Sequence, residues 1–89
     1  MAKERQPRPA TLEQACGLII AQLREKQGLS QMDLAVATGY SLRYIGDVER
    51  GTKSATLRTM KDLATLLHVR LGALISRAER LLKYRDNQQ

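Results

Sequence analysis

The chain has 89 residues, carries a net charge of +6 and has a calculated isoelectric point of about 10.0. This length accommodates one domain with a small core, and the single cysteine excludes an internal disulfide and a thiolate metal cluster. No apolar run is long enough for a membrane span or a secretory signal, and aromatic residues are too few for a surface that stacks single-stranded bases. We therefore expect a cytoplasmic protein, not associated with a membrane, that has a polyanionic partner.

An N-terminal arm is predicted over residues 1–10. These residues include two prolines and charges of both signs, a composition typical of a segment without a fixed structure of its own. The cations Lys3, Arg5 and Arg8 are compatible with two interpretations, contacts to a nucleic acid or a solvated tail.

The segment from Thr11 to Gln27 is predicted to form the first helix. Thr11 is a suitable N-cap and Gly28 a suitable stop. Apolar residues recur at helical spacing on one face. They are Leu12, Cys16, Ile19, Ile20 and Leu23. Because Cys16 lies on this face, it is interpreted as a buried structural thiol and not as a redox sensor.

Two short helices joined by a tight turn are predicted between Gly28 and Gly51. Ser30 is a predicted N-cap for the first of them, and Asp33 three residues later completes a capping box. Gly39 is expected to end this helix because glycine readily adopts a positive φ angle.

The second short helix is predicted to begin after Ser41, its N-cap, and to end at Gly51. Ile45 and Val48 recur at helical spacing and are expected to be buried. Their burial leaves the other side of the helix facing outward. The residues expected on that side are Leu42, Arg43, Gly46 and Asp47.

Two further helices complete the prediction. Thr56 is a suitable N-cap for a helix from Leu57 to about Leu67, and the sole histidine, His68, is interpreted as a C-terminal cap or surface residue. The last helix is predicted from Leu71 to about Tyr84. Its apolar face is longer than a small domain needs, which predicts a homodimer. The proposed dimer contacts are Leu74, Ala78, Leu81 and Leu82.

The predicted fold is therefore all-α, a compact five-helix domain over residues 11–85 with a frayed tail at residues 86–89. A lone histidine without neighbouring cysteines cannot form a zinc site, and we expect no metal and no cofactor. The sequence also lacks a nucleophile paired with a histidine, a glycine-rich phosphate loop and suitably paired carboxylates, so an enzyme is not expected.

The central stretch resembles a known family. Its pattern, R-E-K-Q-G-L-S-Q-x-x-L-A-x-x-x-G-x-S-x-x-Y-I-x-x-x-E-R-G, is similar to the helix-turn-helix domains of the phage repressor and Cro type, the xenobiotic-response-element family of bacterial transcriptional regulators. The resemblance continues through T-L-R-T-M-K-D-L-A-T-L-L-H-V and covers roughly Gly17 to Ile75. It implies that the helix after Ser41 enters the major groove of double-stranded DNA.

Within that resemblance, several side chains have expected roles on the DNA backbone. The family commonly uses a glutamine at the start of the first motif helix to meet a phosphate, and it often grips phosphates from the loop after the second motif helix. The expected phosphate contacts are Gln31, Tyr40, Ser41, Tyr44, Lys53, Ser54 and Arg58. For Tyr44, the edge of the core is an equally open alternative. The resemblance also implies a structural ion pair between Arg24 and Glu49.

The outward face of the second motif helix is expected to read bases. Arg43 can donate two hydrogen bonds to a guanine edge, and Leu42 can pack on a thymine methyl group. Asp47 either accepts a hydrogen bond from a cytosine or holds Arg43 in place, one helical turn away. Gly46 either allows the backbone to approach the groove closely or is merely tolerated.

These residues predict a homodimeric transcriptional regulator that binds an inverted-repeat operator. A small autoregulator fits the length of the chain, for example a restriction-modification controller, a phage repressor or an antitoxin. The alternative is a protein-interaction module with the same fold, such as an antitoxin that masks a toxin partner or an adaptor that does not depend on DNA reading.

Overall fold

Five α-helices and no strands make up the described part of the chain, residues 9–87, in a computed structural model in which side chains are described as far as residue 83. Lys3, Arg5 and Arg8 of the predicted arm lie outside the described residues. The helices are α1 (Leu12–Lys26), α2 (Gln31–Thr38), α3 (Leu42–Arg50), α4 (Leu57–Leu66) and α5 (Leu71–Asn87). The all-α, five-helix prediction is confirmed.

The first four helices begin where hydroxyl side chains satisfy the free backbone N–H groups of the first turn. In each case the cap oxygen accepts from the N–H three residues later, at 3.0 to 3.1 Å. The caps are the predicted residues Thr11, Ser30, Ser41 and Thr56. At the start of α2, the backbone N–H of Ser30 also donates to Asp33 Oδ2 at 2.7 Å, which closes the predicted capping box.

A left-handed residue follows each of the first four helices, and after α1 it is the predicted stop Gly28, with a φ angle of 74°. Gly39 has a φ angle of 84° after α2 and Gly51 has 73° after α3, as the sequence predicts. At the end of α4 the left-handed residue is His68, with a φ angle of 62°. The C-cap itself is Leu67, and His68 is the exposed residue after it, which agrees with the surface alternative, although its backbone angle is one that glycine adopts at less cost.

Helix α1 lies at the centre of the fold and packs most extensively on α5 and α3. The largest fully buried side chains come from all five helices or their ends. They are Ile20, Leu34, Ile45, Leu63, Leu67 and Leu74. Cys16 is buried at 8% exposure, and burial raises the pKa of its thiol, as do the nearby carboxylates of Glu13 and Glu79. An inert structural thiol, as predicted, agrees with this environment.

The last helix differs from the prediction in two ways. It continues to Asn87 instead of ending near Tyr84. Its inner face is also covered by the chain itself, since Leu74 and Ala78 are fully buried against the core. The predicted dimer contact Ala78 requires a side chain that is accessible in a monomer, and this requirement is not met because α5 lies along α1 and buries Ala78 in the core. Leu74 and Ala78 are thus unavailable to a second copy in this packing.

Leu81 and Leu82 occupy an intermediate position, half-buried and packed against the rim of the core. Leu12, at the start of α1, is more accessible, with 43% of its surface exposed. Leu12 and Leu82 line a common depression together with Glu79. None of the helices in residues 9–87 combines the length and the apolar character that crossing a membrane requires.

Candidate nucleic-acid interface

Helix α3 presents opposite faces to the core and to solvent. Ile45 and Val48 are 0% and 3% exposed, respectively, and anchor the helix to the core. At the first turn, Leu42 and Arg43 are exposed, as the sequence predicts for residues that meet a ligand. The helix is thus held on one side and accessible on the other, the arrangement that a groove-reading helix needs.

Asp47 is surrounded by cations and a hydroxyl from the end of α3 and the loop beyond it. Its Oδ1 atom accepts from Arg50 Nη2 at 2.7 Å and from Thr52 Oγ1 at 3.3 Å, and its Oδ2 lies 3.8 Å from Lys53 Nζ. The hydrogen bond from Arg50 is the main reason why the pKa of Asp47 lies below its usual value. Asp47 is therefore an anion whose Oδ1 accepts two hydrogen bonds, while its Oδ2 has the Lys53 ammonium nearby.

Of the two roles left open for Asp47, holding Arg43 in place does not match the contacts, because the ion pair of this carboxylate within α3 is with Arg50, three residues later. Side chains on a helix lean toward its N-terminus. Arg50 consequently leans back onto Asp47, whereas the same tendency directs a side chain at Arg43, one turn earlier, away from Asp47. Opposite charges three or four apart interact best when the acidic residue comes first in the chain, as it does here.

Gly46 lies beneath the side chain of Arg50 and is buried. A Cβ atom at this position would come within 3.0 Å of Arg50 Nη1 and 3.4 Å of Nη2. The Gly46 backbone is therefore covered by a guanidinium group and is not open to a ligand in this conformation. Arg50 is the residue of this surface that sequence reasoning missed. The available signal was an arginine three residues after an aspartate and four after a glycine.

Arg24 and Glu49 are brought together as the resemblance implies. Arg24 donates to Glu49 through Nε at 2.7 Å and through Nη2 at 3.0 Å, and its Nη1 donates to the Leu29 carbonyl at 3.0 Å. The Arg24 and Glu49 side chains are 12% and 6% exposed, respectively. The hydrogen bond to Glu49 raises the pKa of Arg24. The two hydrogen bonds to Glu49 and the one to Leu29 fix the end of α3 to α1 and to the loop before α2.

Gln31 joins the same cluster, because its Nε2 donates to Glu49 Oε1 at 2.8 Å. One N–H of the side-chain amide expected to meet a phosphate is thus directed at Glu49, and the amide has a second N–H. The backbone N–H groups of the first turn of α2 can also meet an anion at this position.

Tyr40 and Tyr44 link the turn and α3 to α4. Tyr40 donates to Asp62 Oδ2 at 2.7 Å and accepts from Thr59 Oγ1 at 3.3 Å, and the Tyr44 hydroxyl lies 3.2 Å from the same Thr59 oxygen. The two rings are 5.4 Å apart between centroids. Both tyrosines are half-buried, so the edge of the core, one of the two alternatives for Tyr44, is where the structure places it.

The loop after α3 and the start of α4 carry the exposed cations of this side. Lys53 and Arg58 have 62% and 78% of their side-chain surface exposed, and each lies near one carboxylate, at 3.8 Å from Asp47 and 3.9 Å from Asp62. Ser54 donates to Glu13 Oε2 at 3.3 Å. Positive charge therefore flanks α3. Among the side chains of residues 9–83, no group of three metal-ligating residues converges.

Comparison with known proteins relates this arrangement to a family. A protein-family model described as "Helix-turn-helix" matches residues 20–74, which include α2 and α3. The HTH-type transcriptional regulator SutR of Escherichia coli (strain K12) is 40% identical over 57 residues. That alignment covers 64% of this chain and 32% of SutR, so the chain spans about a third of that relative's length.

Two solved structures are also similar. The restriction-modification controller protein C.AhdI from Aeromonas hydrophila superposes with a TM-score of 0.66 at 36% identity, over 68% of this chain and 92% of that one. The clp gene regulator ClgR from Corynebacterium glutamicum shares the fold with a TM-score of 0.84 at 23% identity, over 92% and 86% of the two chains. The chain therefore belongs to the helix-turn-helix family of DNA-binding transcriptional regulators of the phage repressor and Cro type, whose members are not enzymes.

Proposed function

We propose that this chain is a sequence-specific regulator that binds double-stranded DNA in the cytoplasm as a homodimer, on an inverted-repeat operator. The observation that carries the proposal is the geometry of α3, which is fixed to the core by Ile45 and Val48 while Leu42 and Arg43 remain exposed. Two such helices related by a two-fold axis would enter successive major grooves about 34 Å apart, with half-site centres about 10 bp apart.

A small autoregulator of the controller type is the specific role that we propose. The similar protein C.AhdI is a restriction-modification controller, and the match covers 92% of its chain. An autoregulator of this kind responds to its own concentration, because operator occupancy follows dimer concentration and affinity.

We assign base reading and backbone binding to different parts of the surface. Leu42 and Arg43 read bases from the first turn of α3. Lys53 and Arg58 bind phosphates on the flank, where their charges are accessible. Backbone N–H groups at the start of α2 and behind the Ser41 cap contribute further phosphate contacts. Tyr40, Tyr44 and Ser54 act mainly by holding the turn and the loop in place.

Selection of bound sites from a random pool of duplex DNA tests the proposal directly. We expect enrichment of a sequence with two-fold symmetry and half-sites about 10 bp apart centre to centre. Binding to random duplex that is as tight as binding to the chain's own promoter would contradict the proposal. That result would favour the alternative, a protein-interaction module such as an antitoxin with a toxin partner.

Substitutions of two exposed cations distinguish the assigned roles. Arg43→Ala should cost about 1–3 kcal/mol on the selected site and relax the preference at one base position. Lys53→Ala should weaken binding to all sequences equally and reduce the slope of log K against log salt by about 1. Fluorescence anisotropy titrations at several salt concentrations measure both effects. An equal loss on specific and random DNA for Arg43→Ala would contradict its assignment.

A further inference from the structure

The last turn of α3 carries an arginine that is both accessible and held in place. Arg50 has 60% of its side-chain surface exposed, yet its Nη2 is bound at 2.7 Å to Asp47. A free arginine side chain loses several rotatable bonds of freedom when it meets a ligand. The contact with Asp47 restricts that freedom before any ligand arrives, which is the condition for directional recognition.

Gly46 provides the space that this conformation needs. The atoms nearest to a Cβ built on Gly46 are Nη1, Nη2 and Cζ of Arg50, at 3.0, 3.4 and 3.6 Å. All three belong to the guanidinium group, which therefore lies across the helix backbone at this point. A glycine inside a helix is otherwise disfavoured relative to alanine. Its presence on the outward face is explained if the covering arginine has a role of its own.

Asp47 acts on Arg50 and is itself poorly placed to read a base. Its side chain is 13% exposed, and Arg50, Thr52 and Lys53 surround its two oxygens. Oδ1 accepts two hydrogen bonds, and the low exposure of the side chain leaves little of the carboxylate accessible to a cytosine amino group. Of the two roles that the sequence left open for Asp47, positioning is the one that these contacts favour, with Arg50 as the positioned group.

We propose that Arg50 is a further base-reading residue of α3, directed at a guanine edge, and that Gly46 and Asp47 are its positioning residues. The inference rests on the proposed DNA-binding function. A phosphate is the less suitable target because the adjacent carboxylate reduces the attraction of Arg50 for an anion. A fixed guanidinium plane instead suits the two acceptors of guanine, O6 and N7, which require defined directions.

The test compares base preferences of the full chain and its variants by selection from random duplex DNA. Arg50→Gln should weaken binding to the wild-type site about 5- to 150-fold and relax the preference at one position. Asp47→Asn and Gly46→Ala should relax the preference at that same position. The double variant Asp47→Asn/Arg50→Gln should bind no more weakly than Arg50→Gln alone, because both changes remove one interaction. Arg77→Gln, at an exposed arginine of α5, is the matched control and should leave the preference unchanged.

Gly46→Ala separates this role from a structural one. Alanine favours the helix and collides only with the movable end of Arg50, so Tm should stay unchanged or rise by up to about 5 °C while base preference is lost. An equal loss of affinity for all DNA sequences in Arg50→Gln would identify a phosphate contact and overturn the inference.

The inference would also be overturned if Asp47→Asn relaxed the base preference at a different position of the site and its effect on affinity added to that of Arg50→Gln. That result would show that Asp47 reads a base itself. If the wild type selects a site and these variants select it equally well, this inference alone fails, whereas a wild type that selects no site ends both proposals.

Discussion

At the scale of single residues, His68 has a strained backbone conformation that the rest of the fold stabilises. It has a φ angle of 62°, and its N–H donates to the Thr65 carbonyl at 3.1 Å to close α4. A residue with a Cβ atom is strained in this region, although histidine adopts it more often than most residues. His68→Gly should therefore raise the free energy of unfolding by about 0.5–1 kcal/mol, measured by urea denaturation.

His68→Ala is the control for this prediction. It removes the imidazole but keeps the Cβ atom at positive φ, so it should not stabilise the protein. If His68→Ala and His68→Gly stabilise the chain equally, the side chain and not the backbone angle is the source of the effect.

Asp33 gives the stability of α2 a pH dependence. The backbone N–H of Ser30 donates to its carboxylate at 2.7 Å, and this hydrogen bond, followed by the one with the Ser30 side chain, lowers the pKa of Asp33. A carboxyl group with a lowered folded-state pKa stabilises the fold above its unfolded value, near pH 4, and this contribution is lost as the pH falls through the folded value.

We expect the wild type to lose more stability than Asp33→Asn between about pH 4 and pH 2, because asparagine keeps the acceptor oxygen but has no charge to titrate. Thermal denaturation of both proteins across this range measures the difference. If the Tm of both proteins falls by the same amount as the pH is lowered, titration of Asp33 does not contribute to the loss of stability in acid.

Residues with local partners could be predicted from the sequence, and residues with distant partners could not. Ser30 and Ser41 cap helices through N–H groups three residues away, so their chemistry is visible in a short window. The amide of Gln31 meets Glu49, which is 18 residues later, and such a pair depends on how helices pack. Arg50 was missed for a different reason. The tilt of helical side chains decided its partner, and sequence spacing alone did not.

At the scale of helices, the orientation of α3 depends on a close approach to α1 at Gly17. A Cβ atom on Gly17 would overlap the backbone carbonyl oxygens of Val48 and Glu49. These are backbone atoms of the last turn of α3, so they cannot move aside without displacing the helix. The ion pair of Arg24 with Glu49 acts at the same junction, about two turns further along α1.

Gly17→Ala should therefore destabilise the fold by about 3 kcal/mol, the upper end of the range for overpacking, despite the higher helix propensity of alanine. Urea denaturation with an unchanged m value measures the loss. Gly72→Ala is the matched control, because Gly72 lies in α5 with nothing within 4 Å of an added Cβ atom. That variant should gain about 0.5–1 kcal/mol. If both variants behave alike, the α1–α3 junction is not tightly packed.

The helix boundaries and the core of this fold were more predictable than its helix contacts. Hydroxyl caps and glycine stops fixed the ends of α2 and α3, and apolar spacing identified their buried faces. Apolar spacing does not reveal which partner covers a face. For α5 the partner is α1 of the same chain, so Leu74 and Ala78 belong to the core and not to an interface with a second copy.

At the scale of the whole molecule, the distribution of charge assigns the attraction of DNA and the discrimination between base sequences to different parts of the surface. Residues 28–51 contain two arginines and three acidic residues, so the positive charge of the chain lies mostly outside the two motif helices. Lys53 and Arg58 are the exposed cations nearest to α3 in the following loop and helix. Salt dependence should therefore arise mainly from the flanks, and base preference from α3.

The proposed homodimer must use the apolar surface that the chain leaves accessible. With Leu74 and Ala78 in the core, the apolar surface beside α5 includes Leu12, 43% exposed, and the half-buried Leu81 and Leu82. Leu57, 76% exposed, lines a second depression with Leu12 and extends this surface. Leu81→Asp would also disturb the core, so its effect on the dimer would be difficult to separate from unfolding. Leu12 is the better position because it is the first residue of α1, where an aspartate favours the helix.

Leu12→Asp should convert the proposed dimer to a monomer with little change in fold, because a charge then has to be buried between the two copies. Sedimentation equilibrium measures the mass, and circular dichroism confirms the helix content. Val36→Asp is the control, since Val36 on α2 is 76% exposed and does not belong to this surface, so the dimer should persist. In DNA titrations, Leu12→Asp should keep affinity for a single half-site and lose the gain from the second, which depends on linking the two reading helices. A dimer that persists in Leu12→Asp would place the interface on another surface.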